Sequence, residues 1–303
     1  MASASLLPFL LSLVLAPSIQ GVINRTKARA AGRVGPALMQ PYRDLWKLAR
    51  KGAVYSETTS WIFKAGPVAG LAAVACTAAL IPFGGFLALA RFAGDLIAAA
   101  YLLGLARFFA ILAALDTGSS FEGMGASREA IFAALTEPVL LVALAAIVRL
   151  TGKTSLTEAL GAISIQLWMR SAPALCLAVG ALLIVYLAEN ARIPIDDPTT
   201  HLELTMIHEV MVLDHSGPDL ALIQYAGALK MWLFGAIIVA IVCPWHGADP
   251  WFDALLGLGG IFMLAIVTGL IESSMARLRL LRIPQLLIVA MILAALAVVL
   301  AQG

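Results

Sequence analysis

Residues 189–230 read ENARIPIDDPTTHLELTMIHEVMVLDHSGPDLALIQYAGALK and separate two long apolar runs. Seven acids stand in this stretch: Glu189, Asp196, Asp197, Glu203, Glu209, Asp214 and Asp219. Three of the chain's four histidines, His201, His208 and His215, stand among them. The chain as a whole is only 13% charged, so this density is out of place. Charge is costly beside a bilayer, and polar clusters there mark a site or a contact surface. The remaining residues therefore read as a membrane scaffold that holds the acidic, histidine-bearing loop 190–229 against a partner.

Composition supports the scaffold. The 303 residues are 61% hydrophobic with a mean hydropathy of +0.95, whereas a soluble domain is roughly half apolar. The expectation is one membrane domain over 1–303, an all-α integral membrane protein with about eight transmembrane helices and one interfacial amphipathic helix. A net charge of +2 is too small to suggest nucleic acid. Cys76, Cys176 and Cys243 lie far apart in or beside apolar runs, without ligand spacing, and read as small packing residues.

In chain order, 5–23 is apolar and long enough to span a bilayer core of roughly 30 Å. No positive charge precedes it, as one would in a signal peptide, and Arg25, Lys27, Arg29 and Arg33 follow it. Nine of the twenty Lys and Arg residues fall in 24–65, which makes that segment the strongest orientation signal. Within it, Leu38, Tyr42, Leu45, Trp46 and Leu48 can share one helical face, with Arg43, Lys47, Arg50 and Lys51 outside the stripe. This predicts a helix lying on the membrane surface, either as a lipid anchor or as a docking surface for a partner subunit. Seven further spans are expected at 66–89, 94–115, 128–149, 171–189, 230–245, 254–274 and 283–302, the second interrupted or ended by Pro82, Gly84 and Gly85. Fifteen basic residues then flank one side, and four the other. The bias places both termini outside, and the loops 24–65 and 190–229 in the cytoplasm.

Several ionisable residues fall in or near the spans. Arg91, Asp95 and Arg107 surround the third, to pair with acids or to reach the interface. Glu129 and Glu137 are eight residues apart in the fourth, a little over two helical turns, so both carboxylates can face one side. Pro138 frees a backbone carbonyl beside Glu137. A structural carboxylate or a proton-relay position are the two readings of Glu137. Glu189 closes the fifth span and Glu272 the seventh, both near the acidic loop. The seven-residue histidine spacing invites a metal site with Glu203, Glu209 and Asp214, but it is too long for two ligands on one helix, and HExxH is absent. A short amphipathic helix opened by Pro198 and ended by Gly217-Pro218 accounts for the region more simply, with Leu202, Met206, Val210 and Leu213 as its apolar face.

The pattern ENARIPIDDPTTHLELTMIHE closely resembles the membrane-anchor subunit of group 4 NiFe hydrogenases, the formate hydrogenlyase and hydrogenase-4 type. That family is similar in turn to NADH dehydrogenase subunit 1 of respiratory complex I. RVGPALMQPYRDLWKL at 33–48, GSSFEGMGASREAIFAALTEP at 118–138 and LDHSGPDLALIQY at 213–225 carry the same resemblance, which covers essentially the whole chain. It implies a subunit of a bacterial or archaeal cytoplasmic (inner) membrane, set where a soluble redox arm meets the membrane arm. Such a subunit binds no cofactor itself, because the NiFe centre and iron–sulfur clusters belong to neighbours. The implied partners are hydrogenase large and small subunits, an iron–sulfur subunit, antiporter-like membrane subunits and the lipid bilayer.

In the complex I relatives the corresponding loop lines a quinone cavity, and buried acids begin a charged path toward pumping subunits. By motif, Glu189, Arg192, Pro194, Asp196, Pro198 and Glu203 match positions shared with that family, and Glu129 and Glu137 lie in the stretch similar to its acidic fourth-span region. Where the quinone enzymes read FDLPEAESEL this chain has IDDPTTHLEL, with His201 in place of an acid, which favours the hydrogenase branch. The expected relay and coupling residues are therefore Glu129, Glu137, Glu189, Arg192, Asp196, Asp197, Glu203, Glu209, Asp214 and Glu272. His201, His208, His215, Arg43 and Lys47 are expected at the subunit interface. No catalytic residue and no metal ligand is assigned. A quinone-site subunit and a passive anchor are the competing readings.

Overall fold

The architecture, taken from a computed structural model, covers residues 2–196, 206–244, 247 and 249–301. Ten helices run as α1 (Ala2–Ala30), α2 (Gln40–Ala49), α3 (Trp61–Leu80), α4 (Asp95–Asp116), α5 (Ser120–Thr151), α6 (Leu156–Gly161), α7 (Ile165–Glu189), α8 (Gly217–Val242), α9 (Pro250–Ser274) and α10 (Ile283–Leu300). Eight are long and apolar enough to cross a membrane. Among the described residues the only extended pairing is an isolated bridge between Phe83 and Phe86. The expected all-α membrane bundle is what forms.

Helix α8 is the axis. Its apolar window is 67% buried, against 28–44% for the other spans, as an all-round apolar helix should be. Trp232 and Phe234 are among its fully buried side chains. Around it, small residues bring helices close in the manner of membrane packing. A Cβ on Gly66 of α3 would stand 2.8 Å from Ala113 Cβ of α4, and one on Gly269 of α9 2.8 Å from Thr26 of α1. Helix α3 starts where it does because Ser60 Oγ accepts from Ile62 N at 3.2 Å. Asp116, at the end of α4, accepts from Ser60 N at 2.7 Å and from Phe63 N at 3.2 Å. That cap fastens two helix ends together and satisfies orphan amides.

Several boundaries differ from the expectation. Helix α8 begins at Gly217, so 217–229 is helical and not loop; Pro218 sits in the first turn, where its missing N–H costs nothing, and opens this helix instead of closing an earlier one. Helix α5 begins at Ser120, eight residues earlier than expected, because Glu122 in its first turn suits a helix N-terminus. The second span stops at Leu80, ahead of Pro82 and the left-handed Gly84 and Gly85. Of the helix expected from Pro198 to Gly217-Pro218, residues 198–205 lie outside the described residues; beyond them the chain makes one 3-10 turn, Glu209–Val212. The three cysteines are exposed at the bundle surface and do not pack the interior. Helix α2 is present, but its stripe splits. Trp46 is exposed beneath Arg50, 4.8 Å away, while Tyr42 Oη donates to Val14 O of α1 at 2.6 Å. The helix therefore leans on α1 and α8, with Trp46 turned outward.

The α3–α4 contact yields a test. Gly66→Leu should wedge these helices apart and cost about 1–3 kcal/mol by overpacking, read as a lowered Tm in detergent.

Candidate ionic site

Arg107 stands just past the middle of α4 and is only 7% exposed. Its guanidinium gathers three carboxylates from two other helices. Nη1 donates to Glu137 of α5 and Nη2 to Glu189 of α7, while Nε lies 3.2 Å from Glu129 Oε1. The planar fork of five donors makes this possible; an ammonium cannot reproduce it. Glu129 and Glu137 thus share a side, as their spacing allowed. Gly104, one turn before Arg107, provides the room: a Cβ there would meet Glu137 Oε1 at 3.2 Å.

Two more groups complete the site. Lys230 Nζ of α8 is 3.6 Å from Glu189 Oε2, and His208 Nδ1 is 3.7 Å from Glu129 Oε2. With Lys230 charged, three carboxylates face two cations, so one negative charge is left over unless a proton joins the cluster. A void of about 20 Å³ touches Arg107, Glu129, Glu189, Asp196 and His208, enough for one water. Glu137 is the open edge, with a side chain 46% exposed midway along α5.

Asp196 holds His208 in place. The carboxylate, 2% exposed, accepts from Ile207 N at 3.2 Å and His208 N at 3.0 Å, and its other oxygen takes Arg277 Nη2 at 2.9 Å. Arg128 Nη1 donates to Met206 O at 2.7 Å, pinning the same segment.

A second network branches at the end of α7. Arg192 N donates to Leu187 O at 2.9 Å and Ala191 N to Ala188 O at 3.2 Å, the paired bonds of a helix C-terminus that normally carries glycine. Here Ala191 takes the left-handed conformation, φ 49°, at a cost of roughly 1–2 kcal/mol. The reversal turns Arg192 away from Glu189, toward Glu272 Oε1 of α9 at 3.4 Å. Lys27 of α1 meets Glu272 Oε2 at 2.8 Å.

A larger cavity of about 710 Å³ lies between α1, α2, α8 and the 208–215 turn, bordered by Lys47, Glu189, Arg192, Glu209 and Lys230 among others. His215 also borders it, 5% exposed and stacked on Phe63 with ring centroids 3.9 Å apart. Burial pushes the His215 imidazole below its usual pKa, against the upward pull of Asp219 and Asp214.

Of the expected residues, Glu129, Glu137 and Glu189 converge on Arg107, with Asp196 and His208 beside them and Arg192 and Glu272 forming the second network. Glu209 borders the large cavity. Asp214 is exposed and is held through its backbone N, which donates to Glu122 Oε1 at 3.1 Å. Arg43 is exposed on α2. Asp197, His201 and Glu203 lie outside the described residues. Among the described residues no group of three His, Cys, Asp or Glu side chains is placed to hold a metal ion, and the exposed cysteines sit on separate elements, unsuited to a cluster. Sequence reasoning missed Lys230 and Glu122 as site residues and left Arg107 open. Arg107 carried a usable signal, a lone cation in an apolar run facing an apolar run with lone acids. Lys230 did not, because the late start assigned to α8 put it at a loop edge.

The class defined is a polytopic helical membrane protein with a buried ionic site at one end of its bundle. The chain matches the family model described as NADH dehydrogenase over residues 3–303 and belongs to that family. It is 30% identical over 284 residues to formate hydrogenlyase subunit 4 of Escherichia coli (strain K12), covering 91% of each chain. It is 31% identical over 293 residues to hydrogenase-4 component C of the same organism, covering 94% of this chain and 91% of the relative. An NADH-quinone oxidoreductase subunit of Acidovorax sp. (strain JS42) is 29% identical over 260 residues, 80% of this chain and 69% of the relative. The fold is also that of a chain in the structure of the membrane-bound sulfane sulfur reductase, an archaeal respiratory membrane complex. There the TM-score is 0.84 at 22% identity, over 98% of both chains.

Two outcomes test the site. Arg107→Met strands three carboxylates, and breaking a buried pair costs about 3–5 kcal/mol; the yield of folded protein in detergent should collapse, with little rescue by Arg107→Lys. For His215, the unfolded imidazole titrates near 6.5 and the native one lower. Its neutral form is native above that pH, so stability is kept there and lost as pH falls below about 6.5. Protection factors at 213–217, taken relative to intrinsic exchange at each pH, should fall over that range, and His215→Phe should flatten the response.

Proposed function

We propose that this chain is the membrane subunit of a formate hydrogenlyase-type hydrogenase complex, and that it couples redox chemistry in a soluble arm to proton movement. The supporting observation is the Arg107 site, together with relatives of that name covering at least 91% of their own length. The NiFe centre and iron–sulfur clusters belong to the hydrogenase large and small subunits and an iron–sulfur subunit, docked over the basic segment 24–65 and the 190–216 loop. Antiporter-like membrane subunits cover the flank where Glu137 opens; a carboxylate half-exposed at that depth is costly without a protein neighbour. The basic segment lies in the cytoplasm, with both termini outside the cytoplasmic membrane.

The mechanism follows from charge. An electron reaching a cluster docked about 10 Å from the carboxylates changes their energy by about 1.7 kcal/mol at an effective dielectric of 20. That exceeds one pKa unit of about 1.4 kcal/mol. Arg107 does not titrate, so the answering proton lands on a carboxylate; Glu129 and Glu189 hold it, and Glu137 hands it to the membrane neighbour.

The large cavity favours one second reading. At about 710 Å³ it falls within the size range of small-molecule sites, which suits a quinone-reactive subunit like the NADH-quinone oxidoreductase relatives. Inhibition of hydrogen turnover by quinone-site inhibitors would support that reading.

In vesicles carrying the assembled complex, Glu129→Gln and Glu189→Gln should each cut proton translocation by roughly tenfold or more while the soluble arm still turns over. Unaltered translocation in both, with hydrogen evolution intact, would leave only a passive anchor.

A further inference from the structure

A small cavity of about 90 Å³ lies between α3, α4 and α8. Its inner end is formed by Arg107 and Lys230, its outer end by His215, and its side wall by Gly70. We propose that this cavity is a water-filled proton inlet to the Arg107 site, with His215 as the group that passes protons into it. The proposal rests on the coupling role argued above and names the route by which the site is supplied.

Volume and length agree. The space is several times what one water needs, so it holds a short file of them. Three waters between two end groups make four hydrogen bonds of about 2.8 Å, or about 11 Å. Along α8 the cavity runs from Ile223 to Lys230, about 10 Å of helix rise. One file of water therefore reaches from the His215 end to the cluster.

The lining is mainly apolar, and Arg107, Lys230, His208 and His215 are its polar groups. His215 Nδ1 is buried and has no hydrogen-bond partner among the described residues. The residue is more than nine-tenths buried. An orphaned buried acceptor of this kind costs about 1–3 kcal/mol, and a water relieves it. Pro67, in the wall, has no N–H to donate to the Phe63 carbonyl one turn earlier. Phe63 is the ring on which His215 is stacked, so the imidazole is held flat at the mouth.

The electrostatic surroundings suit release of protons at this point. Burial keeps the His215 imidazole below its usual pKa, so it gives up a proton readily, while Asp219 and Asp214 pull the other way. Lys64 of α3 lies 4.5 Å over the Tyr55 ring. Glu122 of α5 holds the Asp214 backbone. Across the cavity, Arg107, Lys230 and His208 face the mouth. A proton taken up at Nε2 on the outer side lets the imidazole release one from Nδ1 to the water file. Arg107 does not take up a further proton, so in this proposal the proton comes to rest on a carboxylate beyond it. His208, which borders this cavity and touches Glu129, is the last polar group before that acid.

The test uses the assembled complex in proteoliposomes, with translocated protons read by a pH-sensitive dye and hydrogen by a gas electrode. Gly70 offers a plug: its Cβ would meet only Ala106 O, at 3.7 Å. Gly70→Leu and His215→Phe should each lower protons moved per hydrogen by roughly tenfold, while Gly70→Ala stays within about twofold of the parent. A water-resolving map of the unaltered complex should show ordered waters within hydrogen-bond distance of His215 Nδ1. The inlet is overturned if Gly70→Leu and His215→Phe assemble and keep the parental ratio, or if the map shows the cavity dry. Glu189→Gln separates the two ideas. If it lowers the ratio while the inlet variants do not, the inlet alone fails; if it is silent too, the coupling role fails with it. The map of the unaltered complex decides the matter should the variants not assemble.

Discussion

A single guanidinium surrounded by three carboxylates sets the geometry of the bundle's functional end. Arg107 satisfies Glu129, Glu137 and Glu189 at once, and each comes from a fixed point on α5 or α7. Moving any of the three helices leaves a charge unpaired in a region of low dielectric, where the penalty is several kcal/mol. The site is thus a clamp on α4, α5 and α7 as much as a place for protons. A buried ion pair is weak evidence for stability, since well-packed apolar residues do as well or better. Retaining five ionisable groups here makes sense when the charges are used.

The end of α7 shows how the chain divides its charges. Glu189 and Arg192 are three residues apart, and on an unbroken helix they would share a side and neutralise each other. The left-handed Ala191 prevents this. Glu189 joins the Arg107 cluster and Arg192 joins Glu272 and Lys27. The first group has a surplus acid; the second has two cations on one carboxylate. Opposite imbalances are thereby held a few residues apart at the rim of the large cavity, which both groups touch.

Much of this was legible in the sequence, and the failures have physical causes. Hydropathy marked all eight spans, because a bilayer demands long apolar runs. The two fourth-span acids were assigned to one side from helical period alone. Helix starts were misplaced where polar residues continue a helix beyond the apolar run: Gly217 to Leu229 and Ser120 to Ser127 are helical. Hydropathy cannot see such extensions, and the error at α8 hid Lys230 in a supposed loop. The seven-residue histidine spacing invited a common site, which the length of the spacing argued against. His208 and His215 instead serve different neighbours, Glu129 and Phe63, because the 3-10 turn between them breaks the helical register. Hubs such as Arg107 are hardest to read, since their meaning lies in partners 22 to 82 positions away.

The site's accessibility is asymmetric, and that asymmetry constrains how it can work. Toward the loops, Arg107 and its acids border small voids and, through Glu189 and Lys230, the large cavity. Sideways, only the half-exposed Glu137 reaches the bundle surface. A proton entering from the loops and leaving at Glu137 must pass the guanidinium, which carries no transferable proton at physiological pH. Passage therefore requires carboxylates to exchange places on Arg107: when Glu129 or Glu189 is protonated, its hold weakens and the fork shifts toward Glu137. Under the proposed coupling role, a charged hub with more acids than it can hold equally well would act as a switch of this kind, and charge arriving at the rim would bias which acid is released.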